Sequence, residues 1–249
     1  MRELFAERKR PYICTPLTGK NENEILKELD VVLPEGPDLI EWRADFFQEL
    51  HDHTAVLSAL HKISAKSSLP VLFTIRSTRE GGEPISLTEE QKVALIGEVC
   101  KRDAVQAIDY EIESSPAYIR QLRHISSLYH KKLILSYHNF ECMPPEETLL
   151  KKLYLAEFYG ADVAKAAVMP STRDDVLSLL DITNKADKEL NIPLITMAMG
   201  NLGVVSRIIG WTYGSILTFG SGVQTSAPGQ VQIGKLKKMI EMIDEEMNR

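Results

Sequence analysis

A single lysine interrupts the apolar run Ala161-Asp162-Val163-Ala164-Lys165-Ala166-Ala167-Val168-Met169. If the run is a buried strand, its ammonium has no path to water. Burial disfavours the charged form, and a neutral amine is the nucleophile that adds to a ketone or aldehyde to form an imine. The competing role for Lys165 is structural, neutralising Glu41 or Asp45. His138 closes a second apolar run, KLILSYHNF from Lys132. An imidazole suits both taking and giving a proton near neutrality, its ordinary pKa being about 6.5. A histidine satisfied within the core is the plainer alternative. His51, His53, His61, His124 and His130 fall in helix-like stretches, where exposure accounts for them.

Charged residues cluster in further runs. Glu41, Arg43 and Asp45 alternate with Ile40, Trp42 and Ala44, so a strand there turns the three charges to one face. They form either a site or an ion network that fixes strand register. Thr74 and Arg76 share a face at the end of VLFTIRS, before the loop Ser77-Thr78-Arg79-Glu80-Gly81-Gly82-Glu83, which is either a site wall or solvated surface. Arg207, beyond Met199-Gly200-Asn201-Leu202-Gly203-Val204-Val205-Ser206, suits a carboxylate or phosphate, bidentate if geometry allows. The loop from Gly220 to Gln230 has three glycines and small residues, fitting a mobile cover or an anion cradle.

The elements that hold these groups repeat along the chain. Eight short apolar runs begin at Tyr12, Leu39, Val71, Ala107, Lys132, Ala161, Pro193 and Ser215, each followed by an amphipathic stretch. Their spacing is that of βα units. Helix starts are marked at Ser86-Leu87-Thr88-Glu89-Glu90 and at Pro170-Ser171-Thr172-Arg173-Asp174-Asp175. A last helix is expected over about Val231 to Asn248, with Ile233, Leu236, Ile240 and Ile243 on one face. Eight repeats in 249 residues predict an α/β fold, a single (β/α)₈ TIM barrel over 1–249, with no linker dividing it. An open doubly wound sheet would prefer fewer strands and a Gly-rich fingerprint after the first.

Composition narrows the classes. At 44% apolar residues the chain can bury a full core, and 29 basic against 35 acidic side chains give a net charge of −6. That balance argues against a nucleic-acid binder. No apolar run approaches a membrane span, and the charged start MRELFAERKRPYIC argues against export. Cys14, Cys100 and Cys142 are odd in number and form no CxxC pair, as expected of reduced thiols in a cytoplasmic protein. No ligand spacing suggests a metal.

EWRADFF, FTIRSTREGGE, SYHNF, DVAKAAVMP, MGNLGVVSR and SAPGQ, in that order, resemble type I 3-dehydroquinate dehydratase, a likeness running from about Tyr12 to Gln230. The resemblance implies a (β/α)₈ barrel, usually a homodimer, working without metal or cofactor in the shikimate pathway of aromatic amino-acid biosynthesis. It implies that Lys165 forms the imine, that His138 moves protons and that Glu80 assists His138. It implies that Glu41, Arg43, Arg76, Arg207, Ser226 and Gln230 hold the carboxylate and hydroxyls of a small substrate, 3-dehydroquinate. Glu80 is further expected to fix the imidazole tautomer and favour its protonated form. The first strand departs from many relatives in reading Cys14-Thr15-Pro16-Leu17, and no contact is assigned to it. The alternatives are a class I aldolase or transaldolase, which also uses a barrel-strand lysine, and a non-enzymatic barrel serving as a binding module.

Overall fold

The computed structural model describes residues 4–5, 9–222 and 226–249. Eight strands alternate with helices: β1 (Tyr12–Leu17), β2 (Leu39–Arg43), β3 (Val71–Thr74), β4 (Val105–Glu111), β5 (Lys132–Asn139), β6 (Val163–Val168), β7 (Leu194–Ala198) and β8 (Leu217–Ser221). The helices are α1 (Glu22–Val32), α2 (His53–Lys66), α3 (Glu89–Cys100), α4 (Pro116–Leu128), α5 (Glu146–Phe158), α6 (Arg173–Glu189), α7 (Val204–Ile209) and α8 (Ile233–Met247). The ladder runs β7-β6-β5-β4-β3-β2-β1-β8, with every pair parallel. Its ends meet at the parallel bridge Leu194–Ser215, where the Ile216 amide donates to the Leu194 carbonyl at 2.9 Å. The sheet therefore curls into the expected barrel. A two-residue strand, β9 (Val231–Gln232), adds to β8 outside the ring.

Both marked helix starts appear as reciprocal caps, Thr88 with Gln91 on α3 and Thr172 with Asp175 on α6. Each satisfies amides that the first helical turn leaves without partners. Ile233, Leu236 and Ile240 of α8 are buried, while Ile243 is half-buried.

Alternation along the strands separates two apolar clusters. Outward residues such as Trp42, Phe73, Ala164 and Ala166 join the helix layer. Inward residues form a floor to which every strand of the ring contributes: Cys14, Leu39, Leu72, Ala107, Ile134, Val163, Ile195 and Leu217. Period-two geometry then fixes what lies above it, about 7 Å nearer the C-terminal mouth. Two residues beyond the floor come Glu41, Thr74, Asp109, Ser136 and Lys165, all buried. Two further on come Arg43, Arg76, Glu111 and His138. Cys14 thus belongs to the floor, below the polar layer.

Two strands end earlier than their sequences suggest. β2 stops at Arg43, and Ala44–Phe46 form a 3₁₀ turn that takes Asp45 out of the strand. β3 stops at Thr74, so Arg76 lies in the connection. One group accounts for both ends: the Asp45 carboxylate accepts from the backbone amides of Arg76 (3.3 Å) and Glu83 (3.1 Å), replacing ladder partners with a side chain.

Because the floor supports the polar layer without touching the mouth, Ile134→Ala should lower the unfolding free energy by roughly 2–5 kcal/mol. Denaturant titration at unchanged m-value checks this.

Candidate active site

Lys165 projects from the middle of β6 into the barrel and is 4% exposed. Its Nζ donates to Asp109 Oδ2 at 2.9 Å, lies 3.9 Å from Glu41 Oε1 and sits 4.7 Å from the centre of the Phe219 ring. The other Asp109 oxygen accepts from Arg76 Nη2 at 2.7 Å and from Ser136 Oγ at 2.6 Å. Burial would raise the Asp109 carboxyl, but Arg76 and Lys165 hold it well below the usual carboxylate range. The lysine is therefore not alone in an apolar strand, as the sequence suggests, but paired. Its chief partner is Asp109 rather than Glu41 or Asp45.

His138 lies two residues beyond Ser136 on β5, and Ser136 is the register partner of Lys165. The imidazole consequently stands one pleat above the lysine on the neighbouring strand, facing the same interior. Its Nδ1 is 2.7 Å from Glu80 Oε2, and this contact leaves Nε2 as the nitrogen available to a ligand. Glu80 arrives on a 3₁₀ turn, Thr78–Glu80, that ends at Gly81 with φ +78°. A Cβ on Gly81 would fall 2.3 Å from the Phe140 ring, so a glycine is needed there for both backbone and space. Burial raises the Glu80 carboxyl to about 8. Burial first, then Arg76 and Lys165, push His138 well below its usual range. Near neutrality the pair therefore holds its proton on the carboxyl side. Glu80 fixes the ring, but it does not favour the imidazolium as the sequence reading expects, because burial, together with the carboxylates Glu111, Asp109 and Glu113, disfavours the charged form of its carboxyl against the pull of Arg76.

The three arginines differ in their partners. Arg43 donates to both oxygens of Asp45, at 2.8 and 2.7 Å, and stacks over Phe46. Arg76 is enclosed by Asp109, Ser136, Glu80 at 3.5 Å and Glu111 at 3.6 Å. Among the described residues Arg207, on α7 and 1% exposed, reaches only the Met197 sulfur (3.5 Å) and the Pro228 carbonyl (3.2 Å), and its Nε has no partner. Among the described residues no carboxylate pairs with it, and burial lowers it to about 10. A buried cation without a counter-charge is a binding site for an anion.

The cover over these groups comes from the segment after β8. Ser226 and Gln230 bond each other twice, amide to Oε1 at 2.9 Å and Nε2 to Oγ at 3.1 Å. The Gly200 amide donates to Pro228, and a Cβ on Gly229 would fall 2.1 Å from the Gly200 carbonyl oxygen. The rest of the expected mobile cover, residues 223–225, lies outside the described residues.

One cavity at the C-terminal mouth is lined by Lys165, His138, Glu80, Glu41, Arg43, Arg76, Arg207, Ser226 and Gln230 together. Its apolar wall is Phe140, Ala167, Met197, Met199 and Phe219. Asp109 and Ser136 were missed in the sequence. Asp109 and Glu111 alternate within AIDYEIE just as the charges of β2 do, and that signal would have found them.

A parallel barrel with a buried lysine, a neutral imidazole and an unpaired arginine around one cavity has the equipment of an enzyme acting on an anionic carbonyl compound. The family model of type I 3-dehydroquinase matches residues 13–247. A 3-dehydroquinate dehydratase of Geobacillus sp. strain WCH70 is 46% identical over 242 residues, 96% of this chain and 92% of the relative. The crystal structure of 3-dehydroquinate dehydratase from Geobacillus kaustophilus HTA426 superposes with a TM-score of 0.92 at 43% identity, covering 96% of this chain and 93% of that one. The type I enzyme from Clostridium difficile, crystallised with covalently modified comenic acid, has a TM-score of 0.90 at 35% identity, covering 95% and 93%. The chain belongs to the type I 3-dehydroquinase family. The activity that goes with this membership is 3-dehydroquinate dehydration, in the shikimate pathway.

The Glu80–His138 pair has a signature in stability. Between pH about 4.5 and about 6.5 the unfolded pair carries one proton, on the histidine, and the folded pair also carries one, on the glutamate. From about 6.5 to about 8 the unfolded pair loses its proton while the folded pair keeps it. Over that window stability should fall as pH rises, by at most about 1.4 kcal/mol per pH unit. Glu80→Gln should remove this component of the slope in denaturant titrations at stepped pH.

Proposed function

We propose that the chain dehydrates 3-dehydroquinate through an imine on Lys165, with His138 moving the protons. The observation that carries this reading is one cavity at the barrel mouth in which a buried amine lies one pleat below an imidazole held through Nδ1 by Glu80. 3-Dehydroquinate is a cyclic β-hydroxy ketone with a carboxylate. Lys165 adds to the ketone carbon and water leaves, giving a protonated imine that withdraws electrons from the adjacent carbon. The Nε2 of His138 removes a proton from that carbon, and the C–H pair becomes the enamine double bond. The enamine electrons then expel the β-hydroxyl, which departs as water with the proton that His138 returns. Water hydrolyses the imine, freeing Lys165 and 3-dehydroshikimate, so the net change is loss of one water.

The remaining roles follow from partners. Arg207, which no carboxylate pairs among the described residues, takes the substrate carboxylate, and Ser226 and Gln230 exchange their mutual hydrogen bonds for bonds to substrate oxygens. Glu41, Arg43 and Arg76 line the same cavity and address the ring hydroxyls. Because Arg76 is already enclosed by acids, its part is chiefly to hold Asp109 and the wall in place. Glu80 positions the imidazole. A class I aldolase reading shares the lysine, but an anion site facing the lysine–histidine pair favours loss of water from a carboxylated ring.

We also propose a single-domain enzyme that acts as a homodimer in the cytoplasm. Three free cysteines and the exposed Leu128, Phe158, Leu177 and Met242 support this, as thiols left unpaired and apolar side chains left uncovered. No helix among the described residues is long and apolar enough to cross a membrane.

Borohydride with 3-dehydroquinate should add a ligand-sized mass to the peptide containing Lys165 and abolish activity. Labelling elsewhere, or nowhere, would overturn the imine. His138→Ala should form the adduct and stall, losing on the order of 10⁴-fold in turnover, with the adduct visible by intact mass. Arg207→Gln should raise KM for the substrate far more than it lowers kcat, read from steady-state kinetics.

A further inference from the structure

Asp109 has no place in the mechanism so far. It is fully buried on β4, among groups that are all spoken for. One oxygen is held by Arg76 Nη2 and Ser136 Oγ, and the other points at a single atom, the Nζ of Lys165, at 2.9 Å. It is not among the residues lining the cavity, so its carboxylate faces the reacting nitrogen from below while the substrate approaches from above. We propose that Asp109 is the counter-ion of the imine: its Oδ2 stays on the nitrogen after condensation and keeps that nitrogen protonated through enamine formation. This rests on the imine reading given above.

The geometry selects this role over two others. As a general base Asp109 would have to accept a proton, but Arg76, Ser136 and Lys165 stabilise its ionised form. His138, one pleat higher and neutral, is the group free to take the proton that the lysine sheds. As a purely structural ion, Asp109 would be satisfied by Arg76 alone; yet Arg76 and Ser136 both bind the same oxygen, leaving the second for Lys165. An electron sink works only while the imine carries its proton. In a buried site a fixed anion at hydrogen-bond distance favours that charged form, and needs no rearrangement when the charge appears. Glu41, at 3.9 Å and held by Thr74 Oγ1 at 2.9 Å, is too far to replace it.

The test uses cyanoborohydride, which reduces the protonated imine and not the neutral one. In the native enzyme with 3-dehydroquinate, the yield of reduced adduct on Lys165 should hold from about pH 6 to about pH 9. Yield that declines through neutrality in the native protein would overturn the counter-ion role, without any variant. Asp109→Asn, nearly isosteric, should lower kcat roughly 10²-fold, and its adduct yield should fall off at lower pH than the native yield. Ser136→Ala, which removes a hydrogen bond but keeps the charge, should cost only a few-fold in kcat and keep the native pH span. It stands in for Asp109→Asn if that variant does not fold: a Ser136→Ala pH span as short as expected for Asp109→Asn would overturn the charge-based role. Native rates and native adduct yields in Asp109→Asn would overturn it equally. No adduct on Lys165 in the native enzyme at any pH would instead remove the imine reading itself.

Discussion

Asp109 joins two cations that would otherwise be stranded inside the barrel. Taking a lysine and an arginine out of water costs several kcal/mol each unless an anion and further hydrogen bonds compensate them. Asp109 supplies both, one oxygen to Arg76 and one to Lys165, and Ser136 completes its coordination. Through Arg76 the same network reaches Glu80, and through Glu80 it reaches His138. The amine and the imidazole are thereby set relative to each other by one continuous polar network, ion-paired from Lys165 through Asp109 to Arg76 and hydrogen-bonded from Glu80 to His138.

The polar layer is possible because of what lies under it. Each strand of the ring contributes an apolar residue to the floor, and the cost of ordering charged side chains above it is offset by strands already fixed through the ladder and the helix layer. Asp45 plays the corresponding part at the rim. By accepting amides from Arg76 and Glu83 while gripping Arg43, it ends two strands early and turns their following loops toward the mouth.

Much of this was legible in the sequence. The eight apolar runs correspond to β1–β8 because strands buried on both faces need continuous apolar stretches, and both marked helix starts formed, as capping boxes, because their chemistry is local to four residues. All nine nominated site residues line one cavity. For Glu41, Arg43, His138 and Lys165 position along a barrel strand determines where the side chain points, while Arg76, Glu80, Arg207, Ser226 and Gln230 lie beyond their strands and were indicated by the family motifs. What escaped was pairing. That Lys165 meets Asp109, from strands 56 positions apart, depends on register between β4, β5 and β6, which no local pattern encodes. The neutral state of His138 escaped for the same reason: it follows from two cations and burial assembled by other strands. The bend of the chain at Asp45 was hidden because alternating charges read alike in a strand and in a strand that stops.

The contact between Gly200 and the Pro228–Gly229 turn reaches beyond this site. Two glycines at positive φ, 68° and 77°, meet backbone to backbone, so the connection after β7 and the one after β8 share a single surface. A side chain on Gly229 would displace the Gly200 backbone, and one on Gly200 would press on the Met169 sulfur at 3.2 Å. They behave as one inheritable module: in a chimera of two such barrels, or along a diverging lineage, an insertion or exchange in one connection demands a matched change in its neighbour. Grafting both together, with Arg207 between them, is the smallest transplant that keeps the Arg207–Pro228 contact intact.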